Sequence, residues 1–174
     1  STLIAWYRME NDAWMDRISG SLAIPSGGPG FVSDAKRGKF AGSFDGNDDH
    51  LTLVGGTTFL SGNAFTILFW VKLRSERSFA GYVTTRNAGG GALTGIIQSS
   101  AGLSRMLFYV KDVGTGGPNV PLNQWAHVAF SWSSSGLMSM YLNGADAGSV
   151  IKAASAGPLL QNGFLYACDD YQYN

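Results

Sequence analysis

Apolar residues recur mostly at every second position along this chain, and glycine-containing stretches cut the alternation into short segments. Period two is the repeat of a β-strand, whose successive side chains point to opposite faces. It predicts strands at residues 3–9 (LIAWYRM), 40–45, 50–54, 65–73 (FTILFWVKL), 79–85, 92–98, 104–111 (SRMLFYVK), 125–133 (WAHVAFSWS), 137–143 (LMSMYLN) and 164–167. Turn signals such as Gly89-Gly90-Gly91, Ser135-Gly136 and Asn143-Gly144 fall between them, which predicts antiparallel sheets packed face to face. No segment carries helical periodicity. Residues 10–39, with the stretch IPSGGPG, are the least regular and read as a surface excursion before the sandwich resumes. Neither a second domain nor an internal repeat is visible.

Two strands carry apolar residues on both faces. In FTILFWVKL, Phe65, Ile67, Phe69, Val71 and Leu73 share one face, and Thr66, Leu68, Trp70 and Lys72 the other. Such a strand is expected in the middle of a sheet. In WAHVAFSWS, Ala126, Val128, Phe130 and Trp132 oppose Trp125, His127, Ala129 and Ser131. Periodicity does not say which set meets water.

Composition narrows the partners. The 174 residues suit one domain, long enough to bury roughly two thirds of the surface its unfolded form exposes. Charged residues make up only 14%, against the ~25% of ordinary soluble domains. Twelve basic and twelve acidic side chains cancel, so there is no electrostatic footprint for nucleic acid or anionic lipid. No apolar run approaches the ~20 residues that span a bilayer, so membrane insertion is not expected. The single cysteine, Cys168, excludes an intrachain disulfide framework and a multi-cysteine zinc site.

In order, LIAWYRME, GSFDGNDDHLTL, NAFTILFWVKL, NQWAHVAFSWSSSGLMSMYLNG and GPLLQNGFLYACDDYQ resemble the successive signatures of the laminin-G-like superfamily, the concanavalin-A-like jelly rolls that include the pentraxins. The likeness runs over nearly the whole chain. It implies an all-β, two-sheet antiparallel jelly-roll sandwich, usually a module that binds glycans or proteins, placed outside the cell or on a cell or virion surface. Relatives normally continue past the region matching LYACDDYQYN into a last strand beside the N-terminal one, whereas this sequence stops at Asn174. Residues 3–9 are therefore expected to present an open edge that takes a strand from another chain, giving a homo- or hetero-oligomer, unless the sequence is a fragment of a longer protein.

The resemblance also directs attention to metals. In pentraxin-like relatives the segment matching YACDDYQ and the loop matching TTRNAGGG together hold calcium, which here implies Asn87, Asp169 and Asp170, oxygen donors of the kind calcium takes. Asp16 matches an ion-binding aspartate of some laminin-G-like modules, without the Gly-Asn that follows it there. The acidic GSFDGNDDHLTL is not an EF-hand loop, because its sixth and twelfth positions are His50 and Gly56 instead of Gly and Glu. It reads as a turn of Asp45 to Asp48 between core anchors Phe44 and Leu51.

Catalysis finds little support. The hydrolases of this superfamily carry alternating Glu and Asp on one strand, whereas this chain has only Glu10 and Glu76, in different segments. His50 and His127 lack a nucleophile context, and Cys168 sits beside Asp169 and Asp170, whose charge disfavours its thiolate. GGTT, NAGGG and GTGGP lack the strand-to-helix setting of a phosphate cradle and read as loops. Binding remains. A sugar ring packs its C–H face on an aromatic side chain while its hydroxyls seek polar partners. Tyr109, Tyr141, Trp70 and His127 qualify if their face is the concave one; Arg86, Asn87, Asp170 and Tyr171 qualify at a loop rim. The expected function is a noncatalytic recognition module for a glycan or protein surface ligand. A structural or decoration protein of a virion or cell surface, assembling through strand or sheet contacts, is the alternative, and a hydrolase is the weakest reading.

Overall fold

A computed structural model of the chain describes residues 2–54, 63–87, 91–99, 104–151 and 163–167, with side chains except at 86–87, 91–93 and 163–167. These residues hold thirteen strands and no helix: β1 (Ile24–Ser26), β2 (Gly30–Val32), β3 (Ala41–Ser43), β4 (His50–Leu53), β5 (Ala64–Lys72), β6 (Gly81–Asn87), β7 (Gly91–Gln98), β8 (Arg105–Val110), β9 (Val113–Asn119), β10 (Trp125–Ser133), β11 (Leu137–Leu142), β12 (Ala145–Ile151) and β13 (Gly163–Ala167). Every ladder between them is antiparallel. Seven form a large sheet in the order β1-β4-β13-β6-β7-β8-β9, four a small sheet in the order β12-β11-β10-β5, and β2 and β3 a ribbon. The two larger sheets are the face-to-face antiparallel layers that the alternation predicts, and the sandwich they make is the jelly roll that the resemblance implies.

The core lies between the sheets. Ala126, Val128, Phe130 and Trp132 of β10 and Met138 and Met140 of β11 are buried, facing Met106, Phe108 and Val110 of β8. The rings mesh across the gap, Phe108 to Phe130 at 5.4 Å and edge-on to Phe65 at 6.1 Å between centroids. Each such side chain contributes about 1.5–3 kcal/mol of transfer free energy. Burial thus decides the open question of β10: Trp125, His127, Ala129 and Ser131 are its outward set.

Asparagine and glycine close the hairpin from β11 to β12. Asn143 (φ 52°) and Gly144 (φ 82°) both adopt the left-handed conformation of a tight hairpin turn. Asn143 also extends the β10 ladder, since its N–H donates to His127 O (2.7 Å) and its Oδ1 accepts from His127 N–H (2.9 Å).

Four expectations are corrected. Residues 3–9 are not a strand; their ladder is one isolated bridge, Tyr7 to Asp16. The reason is local competition. Trp6 N–H donates to Asp16 Oδ1 and Trp6 O accepts from Arg17 N–H, while Met9, Asn11, Ala13 and Trp14 take positive φ values that end any extended run. Residues 10–39 are not a surface excursion: Trp14, Asp16 and Ala23 are buried, β1 and β2 arise there, and Trp14 stacks on Phe31 at 4.0 Å. FTILFWVKL, expected mid-sheet, is the last strand of the small sheet among the described residues. GTGGP, expected as a loop, lies in β9, and its glycines have a packing reason given below.

Asp16 is a structural carboxylate and not an ion ligand. It has 0% exposure and accepts four hydrogen bonds: Oδ1 from the Trp6 and Ile18 N–H groups (2.8 and 3.1 Å), and Oδ2 from Ser19 N–H and Oγ–H (3.2 and 2.6 Å). Burial alone would raise its pKa, but the bonds from Ser19, Trp6 and Ile18 outweigh burial and hold it below the ordinary 3.8. With both oxygens committed, the carboxylate ties residues 6 and 16–19 together.

Candidate functional site

Strand register sorts the outward side chains of the small sheet into rows. Trp70 of β5 opposes His127 of β10, their rings edge to face at 5.1 Å. In the next row Leu68 opposes Ala129, which opposes Tyr141 of β11, which opposes Asp146 of β12. The row after that is Thr66, Ser131, Ser139 and Ser149. Small residues in the middle and large ones at the sides leave a shallow trough, about two strand spacings or ~10 Å across. Its floor is Ala129 and Ser131. Its walls are Leu68, 61% exposed, and Tyr141, 38% exposed.

Residues 34–36 fasten one end of this face. Asp34 accepts from Lys72 Nζ (2.7 Å) and Trp125 Nε1 (3.2 Å), and those two partners hold its carboxyl below the usual carboxylate range. The Lys36 ammonium lies 5.1 Å from the Trp70 ring centroid. Trp70 is thus flanked by His127 and Lys36, whereas Tyr141 is the aromatic ring most open to solvent on this sheet. The face offers aromatic surface, four hydroxyl-bearing side chains and one carboxylate, Asp146, whose Oδ1 accepts from Gly148 N–H (2.7 Å).

The predicted ligand residues do not form one site. Trp70, His127 and Tyr141 share this face, but Tyr109 lies on the outward face of the large sheet. There Tyr109 sits across Gly114 of β9, where an added Cβ would come within 2.4 Å of the ring, and the guanidinium of Arg105, itself paired with Asn119, lies over Gly116. That close approach explains the glycines of GTGGP. The centre of the large sheet's outward face is closed, with Thr84 at 4% and Ile97 at 1% exposure. Arg86 and Asn87 end β6, opposite Phe164 and Gly163 of β13. Asp169, Asp170 and Tyr171 lie outside the described residues.

The acidic turn forms as its sequence predicts. Asn47 N–H and Nδ2–H donate to the two carboxylate oxygens of Asp45 (2.7 and 2.8 Å), and Asp45 N–H donates to Asp49 Oδ2 (2.8 Å). Oxygens of Asp45, Asp48 and Asp49 come within 4.8 Å of one another, and the bonds from Asn47 hold the Asp45 pKa low. Arg77 docks on the turn through Asn47 Oδ1 (2.7 Å).

Sequence reasoning named Trp70, His127 and Tyr141 but passed over Leu68, Ser131, Ser139 and Asp146. The usable signal was parity. Thr66, Leu68 and Trp70 alternate on one strand and His127, Ala129 and Ser131 on the next, so finding one exposed member exposes the rest.

Antiparallel sheets in these strand orders define a jelly-roll β-sandwich. The family model described as the Concanavalin A-like lectin/glucanases superfamily, a laminin-G-like model, matches residues 45–173, and the chain belongs to this superfamily. Solved structures share the fold at low identity. Domain 4 of AbnA, a GH43 extracellular arabinanase from Geobacillus stearothermophilus solved in complex with arabinotriose, is 17% identical over 96% of this chain and 83% of that chain, with a TM-score of 0.77. The CBM40 of Ruminococcus gnavus IT-sialidase, bound to α2,3-sialyllactose, is 14% identical over 83% and 76%, with a TM-score of 0.53. The native heptameric SAP-like pentraxin from Limulus polyphemus is 17% identical over 66% and 55%, with a TM-score of 0.52. A search of curated proteins finds no match.

Proposed function

We propose that this chain is a noncatalytic recognition module that binds a glycan on the outward face of the small sheet, working outside the cell or on an exposed surface. The observation that carries the reading is the solvent-open row Leu68, Ala129, Tyr141, Asp146, set beside Trp70 and His127 and beside the hydroxyls of Thr66, Ser131 and Ser139. A sugar ring laid in the trough packs its C–H face on Tyr141, and its hydroxyls reach serine hydroxyls and the Asp146 carboxylate. Two of the fold neighbours were solved with an oligosaccharide, which supports the ligand class.

The rows of this face carry one carboxylate among the described residues, Asp146, which supports binding over hydrolysis. Glu10 is engaged by Lys39 N–H, Asp16 is buried in its own hub, and Asp34 is held by Lys72 and Trp125. A glycosidase needs a second carboxylate set opposite the first, and these three are engaged elsewhere. The experiment is a glycan array followed by titration of the strongest binder, with arabinotriose as the first probe in solution. Tyr141→Ala is expected to weaken binding at least tenfold, about 1.4 kcal/mol, while Tyr109→Ala leaves it unchanged. Loss of binding with Tyr109→Ala and not with Tyr141→Ala would move the site to the other sheet.

A further inference from the structure

The chain as a whole is neutral, but its charge is unevenly placed. Residues 35–39, AKRGK, set Lys36, Arg37 and Lys39 at the surface, and the end of β5 adds Lys72 and, two residues on, Arg74. Among the described residues Asp34 and Glu10 are the carboxylates bonded into this stretch, and both are engaged. Asp34 accepts from Lys72 Nζ through Oδ2 (2.7 Å) and from Trp125 Nε1 through Oδ1 (3.2 Å), while Glu10 accepts from Lys39 N–H (3.0 Å). Cations outnumber carboxylates here, so this end of the small sheet is positive.

Lys36 carries that charge onto the outward face. Its ammonium stands 5.1 Å from the Trp70 ring centroid, and Trp70 in turn meets His127 edge to face. An ammonium over a ring keeps N–H donors for an anion, and a partly exposed imidazole offers one N–H in either tautomer. The row of Trp70 and His127 lies two residues from the row of Ala129 and Tyr141, roughly 7 Å along the strands. A charged substituent on a sugar packed against Tyr141 spans that gap. On the far side of the same row stands Asp146, whose charge repels an anion. The trough thus has a positive end and a negative side, and an acidic sugar fits it in one orientation.

We propose that the glycan bound on this face is acidic, its carboxylate or sulfate group held by Lys36 and the His127 imidazole beside Trp70 and its hydroxyls turned toward Asp146. This rests on the glycan reading above and narrows it to a ligand class. Lys36 supplies the charge and His127 a directed donor, and hydrogen bonds to an ionised group are about twice as strong as neutral ones.

The test compares matched saccharides on the array, each neutral glycan against the same glycan bearing a carboxylate or a sulfate ester, followed by solution titration of lactose, sialyllactose and lactose 3′-sulfate. The acidic members are expected to bind at least tenfold tighter than their neutral counterparts, and the stronger of the two acidic arms names the group. Added salt, which screens exposed charges, is expected to shrink that ratio. Lys36→Glu is expected to bring it to one or below, and Lys36→Arg to keep it. Lys36 is exposed, so an unchanged thermal melt will show that the variants fold. Equal binding of neutral and acidic members, still sensitive to Tyr141→Ala, would overturn this inference and leave the glycan reading standing. An acidic preference indifferent to Lys36→Glu would overturn it as well, and retention of no saccharide at all would overturn both.

Discussion

Replacing Asp16 with asparagine tests how the N-terminal segment is held. The buried carboxylate accepts from four part-buried donors; an amide of the same shape has a single acceptor oxygen. In the best orientation its NH₂ turns toward Ser19, whose hydroxyl can rotate to accept, so one donor, Ser19 N–H, is left without a partner. The bonds from Trp6 and Ile18 survive but lose their charge. An orphaned, part-buried donor costs about 1 kcal/mol, and loss of charge assistance about 1 kcal/mol for each of the two remaining bonds, so the total is about 3 kcal/mol. For a chain of this size that is a fall in Tm of about 10 °C. Thermal unfolding followed by circular dichroism at pH 7 measures it directly. The pH dependence adds a second check. Because the folded-state pKa is lowered, the stabilisation is complete above the ordinary value of 3.8 and is lost as pH falls below it. The gap in Tm between parent and Asp16→Asn should therefore close in acid. A variant melting within about 2 °C of the parent at neutral pH, or a gap that persists in acid, would refute the reasoning.

Tyr7 gives the opposite pH sign: burial first, and the Asp16 charge second, push its phenol from 10.0 up to about 12, so its contribution is present below pH 10 and is lost as pH rises toward 12. Tyr7→Phe should remove that alkaline loss in melts between pH 9 and 12 without lowering stability at pH 7, since Tyr7 Oη has no hydrogen-bond partner among the described residues. Asn143→Ala should cost about 2 kcal/mol, from a non-glycine residue in the left-handed region and an unpaired His127 amide; urea unfolding with no change in midpoint would contradict this. On the proposal that Asn87, Asp169 and Asp170 hold calcium, millimolar calcium should raise the melting temperature, and the double variant Asp169→Asn, Asp170→Asn should not respond. An unchanged parent melt removes that proposal.

Much of the fold was legible because burial writes period two into the sequence wherever one face of a strand is covered. β5, β10 and β11 show this clearly, and Asn143-Gly144 marked its hairpin. β9 and β12 were missed for a physical reason. VGTGGPN and ADAGSVI carry few β-branched or aromatic residues; in β9 the glycines answer side chains on β8, which a single-strand pattern cannot reveal. Residues 3–9 misled in the other direction, having the alternation of a strand while Trp6 spends its backbone groups on Asp16 and Arg17. The candidate site was half legible. Alternation grouped Trp70 with Leu68 and His127 with Ser131, but the side that meets water depends on how the sheets stack. Tyr109 and Tyr141 looked equivalent along the chain and lie on opposite sheets.

The central claim is that the outward face of the small sheet is the recognition surface. The most direct test is an NMR titration of isotope-labelled protein with the best glycan from the array, following the backbone amides and the Trp70 indole N–H. Shifts clustered at Leu68, Trp70, His127, Ala129 and Tyr141, saturating together, are the expected result. Shifts confined to Arg105, Tyr109 and the β6 end at Arg86 and Asn87, with the small sheet unmoved, would contradict it.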